Sequence, residues 1–400
     1  MMLTKDEQAI FDGESGEASQ KAMEILAALG KIYGAESLVP VSSVQVAGVS
    51  YKNLGEAGRD FIAWWSEHGA KVRSFSTLNP AGIDLKRWKQ LGFSKDFSER
   101  QKEVVSLYES LGIVPTCTCT PYEIGNTPKF GDHIAWSESS AVSFANSYMG
   151  ARTNREGGPS ALAAAIIGKT PCYGYHLDKN RGPSISFDVK ADVASEADFG
   201  ALGFATGAHA KDAVPLFYGL RPMRQTHFKQ LGAAMAASGA VALYHVEKQT
   251  PDIRCRGCGE ALEKICIESL DDAYSRLNTG GDKVDFVSLG CPHASLEEMR
   301  EIAGHLKGKR VSVPTWITTS IGTRALSDAY GYLKAIESTG ARVVTDTCMV
   351  VSPIEEFGYG TVAANSAKGC YYMQSWCGVE TRFGDVHQCL DAAISGSWRK

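Results

Sequence analysis

The sequence predicts an α/β fold of two or three α/β/α subdomains with mainly parallel sheets. Short apolar runs rich in β-branched residues alternate with helical patterns along most of the chain, which is typical of parallel strands joined by helices. The 400 residues exceed what one hydrophobic core usually supports. No solenoid repeat, low-complexity tail or charged linker divides the chain, so we expect the subdomains to form one unit.

The elements follow from apolar periodicity, in chain order. Residues 4–35 have helical spacing, and Gly30 and Gly34 stand where a helix could end. The predicted strands are "LVPVSSVQVAGVS", "GAKVRSFSTLN", "LGIVPTCTC", "KVDFVSLGC", "KRVSVPTWITTS" and "GARVVTDTCMVVSP". Helices are predicted at "SERQKEVVSLYESLG", "SLEEMREIAGHLKG" and "TRALSDAYGYLKAIESTG". Residues 190–250 mix Gly, Ala and apolar residues with weak periodicity, and we expect a subdomain transition there, with others near 115–125 and 280–290.

Composition excludes several classes of protein. The net charge is -4 and no basic block occurs, which argues against binding of nucleic acid. No apolar run approaches the roughly 20 residues that a membrane helix needs, and the acidic start is no signal peptide. We therefore expect a cytoplasmic protein whose 11 cysteines are reduced thiols or metal ligands rather than disulfides.

Three cysteines share one context. Cys119, Cys291 and Cys348 each follow a predicted strand, and the carboxyl ends of parallel strands are where open α/β sheets bind ligands. The alternative is that they are buried small hydrophobes. Three converging thiolates suit an iron–sulfur cluster better than a structural zinc, which usually has four ligands. A four-iron cluster on three cysteines leaves one iron open as a Lewis acid; a mononuclear iron or a smaller cluster would fit the same ligands.

A second cysteine motif, Cys255-x-x-Cys258 with Cys266 beyond it, is typical of half a zinc knuckle or of a redox pair. No second CxxC or ordered His pair completes it. We therefore do not place it in the predicted site.

Several long motifs carry a family resemblance over nearly the whole chain. The runs "TCTCTPYEIGN", "GDHIAWSESSAVSFANSYMGARTNREGGPSALAAAIIGKTP", "VDFVSLGCPHASLEE", "TDTCMVV" and "ANSAKGCYY" resemble the large, catalytic subunit of the aconitase X family. The resemblance implies an aconitase-like catalytic unit over residues 1–400 that removes water from a hydroxy acid at an iron–sulfur or iron centre. Carried over residue by residue, the family's cysteine pattern falls on Cys119, Cys291 and Cys348, and it leaves Cys117 out.

The same resemblance favours a set of polar site residues in the segment around Trp136 to Gly168. Arginines can grip a carboxylate or phosphate with a two-pronged fork, amides can orient a hydroxyl, and Glu138 is a candidate acid or base. Without the resemblance, a helix N-terminus with solvated arginines is the simpler interpretation. The candidates are Glu138, Ser139 and His133 for catalysis, and Ser140, Asn146, Arg152, Asn154 and Arg155 for substrate binding.

Weaker candidates lie elsewhere. Ser320 and Arg324 follow the strand in "VPTWITTSIGTR", where they would bind an anion at a helix N-terminus or merely cap that helix. Lys52 follows another strand and would contact a phosphate or carboxylate unless it is simply solvated.

The resemblance also implies a partner subunit and two alternative substrates. In this superfamily the base is a serine on a small swivelling domain; we expect that domain on a separate small subunit, because this chain shows no such domain. One family branch dehydrates mevalonate 5-phosphate in archaeal isoprenoid synthesis, and the other dehydrates cis-3-hydroxy-L-proline; a separate large subunit of this length favours the first. A non-catalytic iron-sensing or RNA-binding relative is the alternative, and the acidic charge balance counts against it.

Overall fold

The structure, a computed structural model, describes residues 1–252 and 262–399. Cys255 and Cys258 of the CxxC motif lie outside the described residues. The described chain is organised around three parallel sheets and a short antiparallel pair of strands. The predicted α/β class with mainly parallel sheets is confirmed.

The N-terminal helix expected over residues 4–35 is two helices, α1 (Lys5–Phe11) and α2 (Glu17–Ile32). The segment between the two helices contains Gly13 and Gly16. Their φ angles of 92° and 87° lie in a region that residues with a Cβ rarely adopt, so the helix is interrupted there. Apolar residues keep their helical spacing across this segment, so the sequence pattern did not predict the interruption.

The first sheet has the strand order β3-β2-β4, and its strands are parallel. The part of the chain that contains this sheet comprises β1 (Leu38–Pro40), β2 (Ser43–Val46), α3 (Tyr51–Glu67), β3 (Phe75–Leu78), α4 (Lys95–Ser110), β4 (Ala135–Trp136), α5 (Ser139–Phe144), α6 (Gly158–Ile167) and β5 (Lys169–Pro171). Strands β1 and β5 form the antiparallel pair. The predicted strand "LGIVPTCTC" is not a regular strand. It pairs with β3 through a parallel bridge between Thr77 and Val114 and through a hydrogen bond from Thr118 N to Leu78 O.

The second sheet occupies the segment of weak periodicity. It comprises β6 (Ile185–Val189), α7 (Glu196–Ala210), β7 (Pro215–Tyr218), α8 (Gln225–Gly239), β8 (His245–Val246), β9 (Glu263–Ile267) and α9 (Asp271–Leu277), with strand order β8-β7-β6-β9. Helices α7 and α8 are buried along most of their length. A Cβ on Gly203 would overlap the carbonyl oxygen of Leu231, so glycine allows the two helices to touch. Helices buried on several faces have no polar stripe, which explains the weak amphipathic signal.

The third sheet is fully parallel, with strand order β12-β11-β10-β13-β14. Its elements are β10 (Phe286–Ala294), α10 (Leu296–Leu306), β11 (Thr315–Thr319), α11 (Ile321–Ala329), α12 (Tyr332–Glu337), β12 (Arg342–Val344), β13 (Thr361–Ala364), α13 (Ala367–Trp376), β14 (Glu380–Phe383) and α14 (Val386–Ser395). Strand β10 is irregular between Leu289 and Ala294, and Gly290 there has a φ of 89°. The cysteine predicted to end this strand therefore lies within its irregular part.

The first and third sheets meet directly. Ala81, just beyond β3, forms a parallel bridge with Thr347, and its N–H donates to the carbonyl oxygen of Asp346 at 2.7 Å. The carboxyl ends of the strands in both sheets consequently face one shared region. Within the residues that the structure describes, no helix combines the length and apolarity needed to cross a membrane.

Candidate active site

A cavity of about 230 Å³ lies between the carboxyl edges of the first and third sheets. Residues just beyond β2, β3 and β4 line one side of it: Ser50, Asn79 and Glu138. The irregular part of β10, the loop after β12 and the first turn of α13 line the other side with Cys291, Cys348 and Lys368. Since ligands of open α/β proteins bind at this edge, the position favours a functional site.

The three predicted cysteines all line this cavity. None of them forms a disulfide. The loop carrying Cys119 is tied to the third sheet through His293, whose backbone N–H donates to the Cys119 Sγ at 3.2 Å. The His293 ring bonds to the Thr118 hydroxyl and to the Thr347 carbonyl, both at 2.9 Å. One buried histidine therefore links the segments that carry the three thiols.

Burial makes the thiol forms of these cysteines favourable in the absence of a metal. Desolvation, with Glu138 and the other two sulfurs nearby, raises the pKa of Cys119 well above its usual value. Desolvation and then Cys291 raise the pKa of Cys348 to about 12, and desolvation raises the pKa of Cys291. A bound metal centre supplies the positive charge that deprotonates such ligands.

The donor set fits an iron–sulfur cluster. Three free thiols converge on one cavity, and a backbone N–H bond to sulfur, as on Cys119, is one of the contacts that tune such clusters. Among residues 1–252 and 262–399, no three His, Cys, Asp or Glu side chains are grouped so as to hold a metal ion. A single ion needs its sulfur ligands within about 2.3 Å of one point, whereas a cluster binds each cysteine at a different iron.

Glu138 and Lys368 form a buried ion pair in the cavity wall. Glu138 follows β4 and caps α5, and Lys368 reaches it from the first turn of α13. Asn79 Nδ2 donates to Glu138 Oε2 at 2.7 Å, and Ser140 Oγ donates to Oε1 at 2.9 Å. Burial alone would raise the pKa of Glu138, but the Lys368 ammonium and these hydrogen bonds outweigh it and lower the pKa to about 2. Glu138 is therefore ionised at neutral pH.

The sequence reasoning missed Lys368, although the motif "ANSAKGCYY" that carried the family resemblance contains it. It also missed Asn79, the last residue of the predicted strand "GAKVRSFSTLN". Ser139 and Arg155, which it did predict, line the cavity. Arg155 is exposed and supplies a second cation to the site.

His133, Asn146, Arg152 and Asn154 are not among the residues that line the cavity. Asn146 bonds to the backbone of Thr153 and of Ala242. Asn154 bonds to Tyr173 O and Tyr175 N, and Arg152 pairs with Asp178 at 2.6 Å. His133 Nδ1 lies 2.9 Å from His176 Nδ1. These side chains join β4, the segment after α5 and the following loops, so we leave them out of the proposed substrate contacts.

The weaker candidates also lie outside the cavity lining. Ser320 accepts from Thr323 N at 3.0 Å, the capping role that was its simpler interpretation. Arg324 follows in the same helix. Lys52 bonds to Ser352 O and pairs with Glu355 at 2.7 Å, so its charge is already compensated.

Buried His176, paired with half-buried His133, predicts a specific sensitivity to acid. Burial, together with His133 and the nearby arginines, lowers the pKa of His176 from 6.5 to about 3. Between these pH values the unfolded chain binds a proton that the folded chain does not, so stability falls as pH falls. At pH 5 this amounts to about 2 kcal/mol. We expect His176→Asn to flatten the pH dependence of thermal unfolding between pH 7 and 5, whereas His209→Asn, at an exposed position, should leave it as in the parent. An unchanged slope in the His176 variant would contradict this.

Comparison with known proteins shows the family of this chain. The aconitase X first-domain model matches residues 1–179, the second-domain model residues 183–274 and the third-domain model residues 284–395. The chain belongs to the aconitase X family. The family resemblance inferred from the motifs is thus confirmed, while the transitions predicted inside the chain stay predictions.

Individual relatives of this aconitase X chain are similar over its full length. It is 50% identical to the phosphomevalonate dehydratase large subunit of Thermococcus kodakarensis, covering 98% of this chain and 100% of that one. It is 47% identical to the same subunit from Methanocaldococcus jannaschii over 98% and 99%. The cis-3-hydroxy-L-proline dehydratase of Pseudomonas aeruginosa is 33% identical over 98% of this chain but 69% of its own length. The crystal structure of Thermococcus kodakaraensis aconitase X in its holo-form superposes with a TM-score of 0.92 at 49% identity, covering 98% of this chain and 100% of that one.

Proposed function

We propose that this chain is the large subunit of a hydro-lyase that dehydrates mevalonate 5-phosphate to anhydromevalonate 5-phosphate in isoprenoid synthesis. One observation carries the proposal: three free cysteines and a buried Glu–Lys pair converge on one cavity, in a chain about half identical to phosphomevalonate dehydratase large subunits along its whole length. In the reaction a C–O bond breaks, a proton leaves the carbon beside the carboxylate, a C=C bond forms and water departs.

Cys119, Cys291 and Cys348 would hold an iron–sulfur cluster, a four-iron cluster being the form that leaves one iron without a cysteine. Such a cluster supplies a Lewis-acidic iron for the hydroxyl leaving group. Lys368 and Arg155 bring positive charge to the cavity that this substrate, with a carboxylate and a phosphate, requires. Glu138 holds Lys368 in place through its ion pair, and as an ionised group of low pKa it is a weak base.

The base that removes the proton is proposed to be a serine of a small subunit carrying the swivelling domain. The cavity is open at its rim, where Trp376 is 61% exposed. Relatives about half identical to this chain are named large subunits, and the longer Pseudomonas relative has about a third of its length beyond the matched region. A separate subunit in this protein would supply what that relative carries in one chain. We place the complex in the cytoplasm.

The test is the activity of the assembled complex. The large subunit should be purified without oxygen, alone and together with the small subunit encoded beside it, and assayed on mevalonate 5-phosphate and cis-3-hydroxy-L-proline. We expect turnover of mevalonate 5-phosphate by the complex, little by the large subunit alone, and a preference of at least about 100-fold over hydroxyproline. A preference for hydroxyproline would overturn the substrate, and full activity of the large subunit alone would overturn the partner.

A further inference from the structure

Asn79 occupies a fixed position at the carboxyl end of an edge strand of the first sheet. It directly follows β3, is 8% exposed, and lines the cavity beside Glu138. Its backbone N–H donates to Val46 O at 2.9 Å. Its side-chain Nδ2 donates to Glu138 Oε2 at 2.7 Å. Because an ionised carboxylate only accepts hydrogen bonds, this contact fixes which end of the amide is nitrogen and which is oxygen.

The amide oxygen of Asn79 has no donor. Oδ1 is buried and lacks a hydrogen-bond partner among the described residues. Of the described residues that line the cavity, Asn79 alone has such a buried, unpartnered polar atom. Buried polar groups are paired in the great majority of cases, because an unpaired one costs free energy. A pre-positioned acceptor in the wall of a binding cavity therefore calls for a donor on the ligand.

We propose that Asn79 Oδ1 accepts a hydrogen bond from the substrate hydroxyl that leaves in the dehydration. This inference rests on the proposed function. At neutral pH the carboxylate of mevalonate 5-phosphate is a hydrogen-bond acceptor only, and its phosphate is mostly doubly ionised, so the hydroxyl is the donor that this substrate offers. The two cations, Lys368 and Arg155, suit the anionic ends of the molecule, and the neutral carbonyl oxygen suits its hydroxyl.

The consequence is specificity for a hydroxylated substrate. A site that hydrogen-bonds a substrate hydroxyl rejects an analogue that lacks it, because the buried partner is then left unpaired. The hydrogen bond also fixes the orientation of the hydroxyl within the cavity. Asn79 is thus a substrate-binding residue that distinguishes the hydroxyl, in addition to supporting Glu138.

The experiment measures how much the hydroxyl contributes, with and without the acceptor. In the complex of large and small subunits, kcat/KM is measured for mevalonate 5-phosphate. Ki is measured for its deoxy analogue, in which hydrogen replaces the hydroxyl. For Asn79→Ala we expect kcat/KM to fall at least about tenfold, while Ki for the deoxy analogue stays within about twofold of the parent. This pairing is a double-mutant cycle between side chain and ligand.

Two further variants separate the two contacts of the amide. Asn79→Asp keeps the acceptor oxygen but loses the donor to Glu138, so it should weaken both ligands and preserve the preference for the hydroxyl. Ser140→Ala removes a different hydrogen bond to Glu138 and should not discriminate between the ligands. Circular dichroism and iron content report whether each variant folds and loads.

Different results would contradict the role of Asn79 and the proposed function. A parallel loss of both ligands in Asn79→Ala, or an unchanged kcat/KM, would show that Asn79 supports the cavity without binding the hydroxyl. A parent complex that neither turns over mevalonate 5-phosphate nor binds the deoxy analogue would instead remove the proposed function, and this inference with it.

Discussion

Serine in place of Cys119, Cys291 or Cys348 is expected to abolish iron binding and to lower activity by about 10³-fold or more. Each thiol reaches the cavity from a different segment of the chain, and Cys117, the neighbour of Cys119, is buried and does not line the cavity. Serine keeps the size of the side chain but supplies a much poorer ligand for iron. Iron content, acid-labile sulfide and the visible absorption of anaerobically purified complex measure the loss.

The matched controls are Cys172 and Cys255, neither of which belongs to the predicted ligand set. Cys172→Ser changes a thiol that does not line the cavity, and Cys255→Ser changes the CxxC motif; both proteins should keep their iron. Full iron retention in any of the three cavity variants would remove that residue from the ligand set.

Lys368→Met is expected to lower kcat/KM by at least about 100-fold and to destabilise the fold by about 3–5 kcal/mol. The side chains of Lys368 and Glu138 are 10% and 12% exposed, so removing the ammonium leaves a buried, unpaired carboxylate. The site also loses a cation suited to the substrate's anionic groups. Steady-state kinetics of the complex and chemical denaturation measure the two effects.

The double variant Lys368→Met with Glu138→Gln should regain part of the stability but none of the rate, because the unpaired charge is gone and the cation is still missing. Lys169→Met breaks an ion pair with Glu7 that is remote from the cavity, and it should leave kcat/KM unchanged. Parent-like kinetics of Lys368→Met would exclude a part for this lysine in turnover.

The sequence predicted the architecture well where periodicity is simple. Strands β10 and β11 and the helix α10 lie where apolar patterns placed them, because the strands are buried along almost their whole length and α10 has one buried face. The sequence prediction failed where glycine changes the path of the backbone or allows two helices to pack closely. Gly13 and Gly16 divide a helix without disturbing apolar spacing, and Gly203 lets two helices touch so closely that neither keeps a polar face.

The sequence predicted only part of the candidate site, because some of its residues follow from local patterns and others do not. The three thiols could be located from local sequence, since each follows an apolar, strand-like run towards the carboxyl edge of a parallel sheet, although the run before Cys119 is not a regular strand. Whether Arg152 or Arg155 faces the cavity depends on the turn that follows α5, where a wide helical turn spans Ala145–Met149 and Gly150 has a φ of 71°. Lys368 lies 230 residues from Glu138, and no local pattern joins them.

The contact of Ala81 with Asp346 and Thr347 has a consequence for how the molecule tolerates change. Opposite walls of the cavity belong to different layers, built on the first and the third sheet, so their spacing is set at this seam rather than inside either layer. A bulky residue at position 81, which is fully buried, would push the walls apart while each layer stays intact. Such a protein would look native by spectroscopy and yet misalign groups more than ten residues away from the altered position.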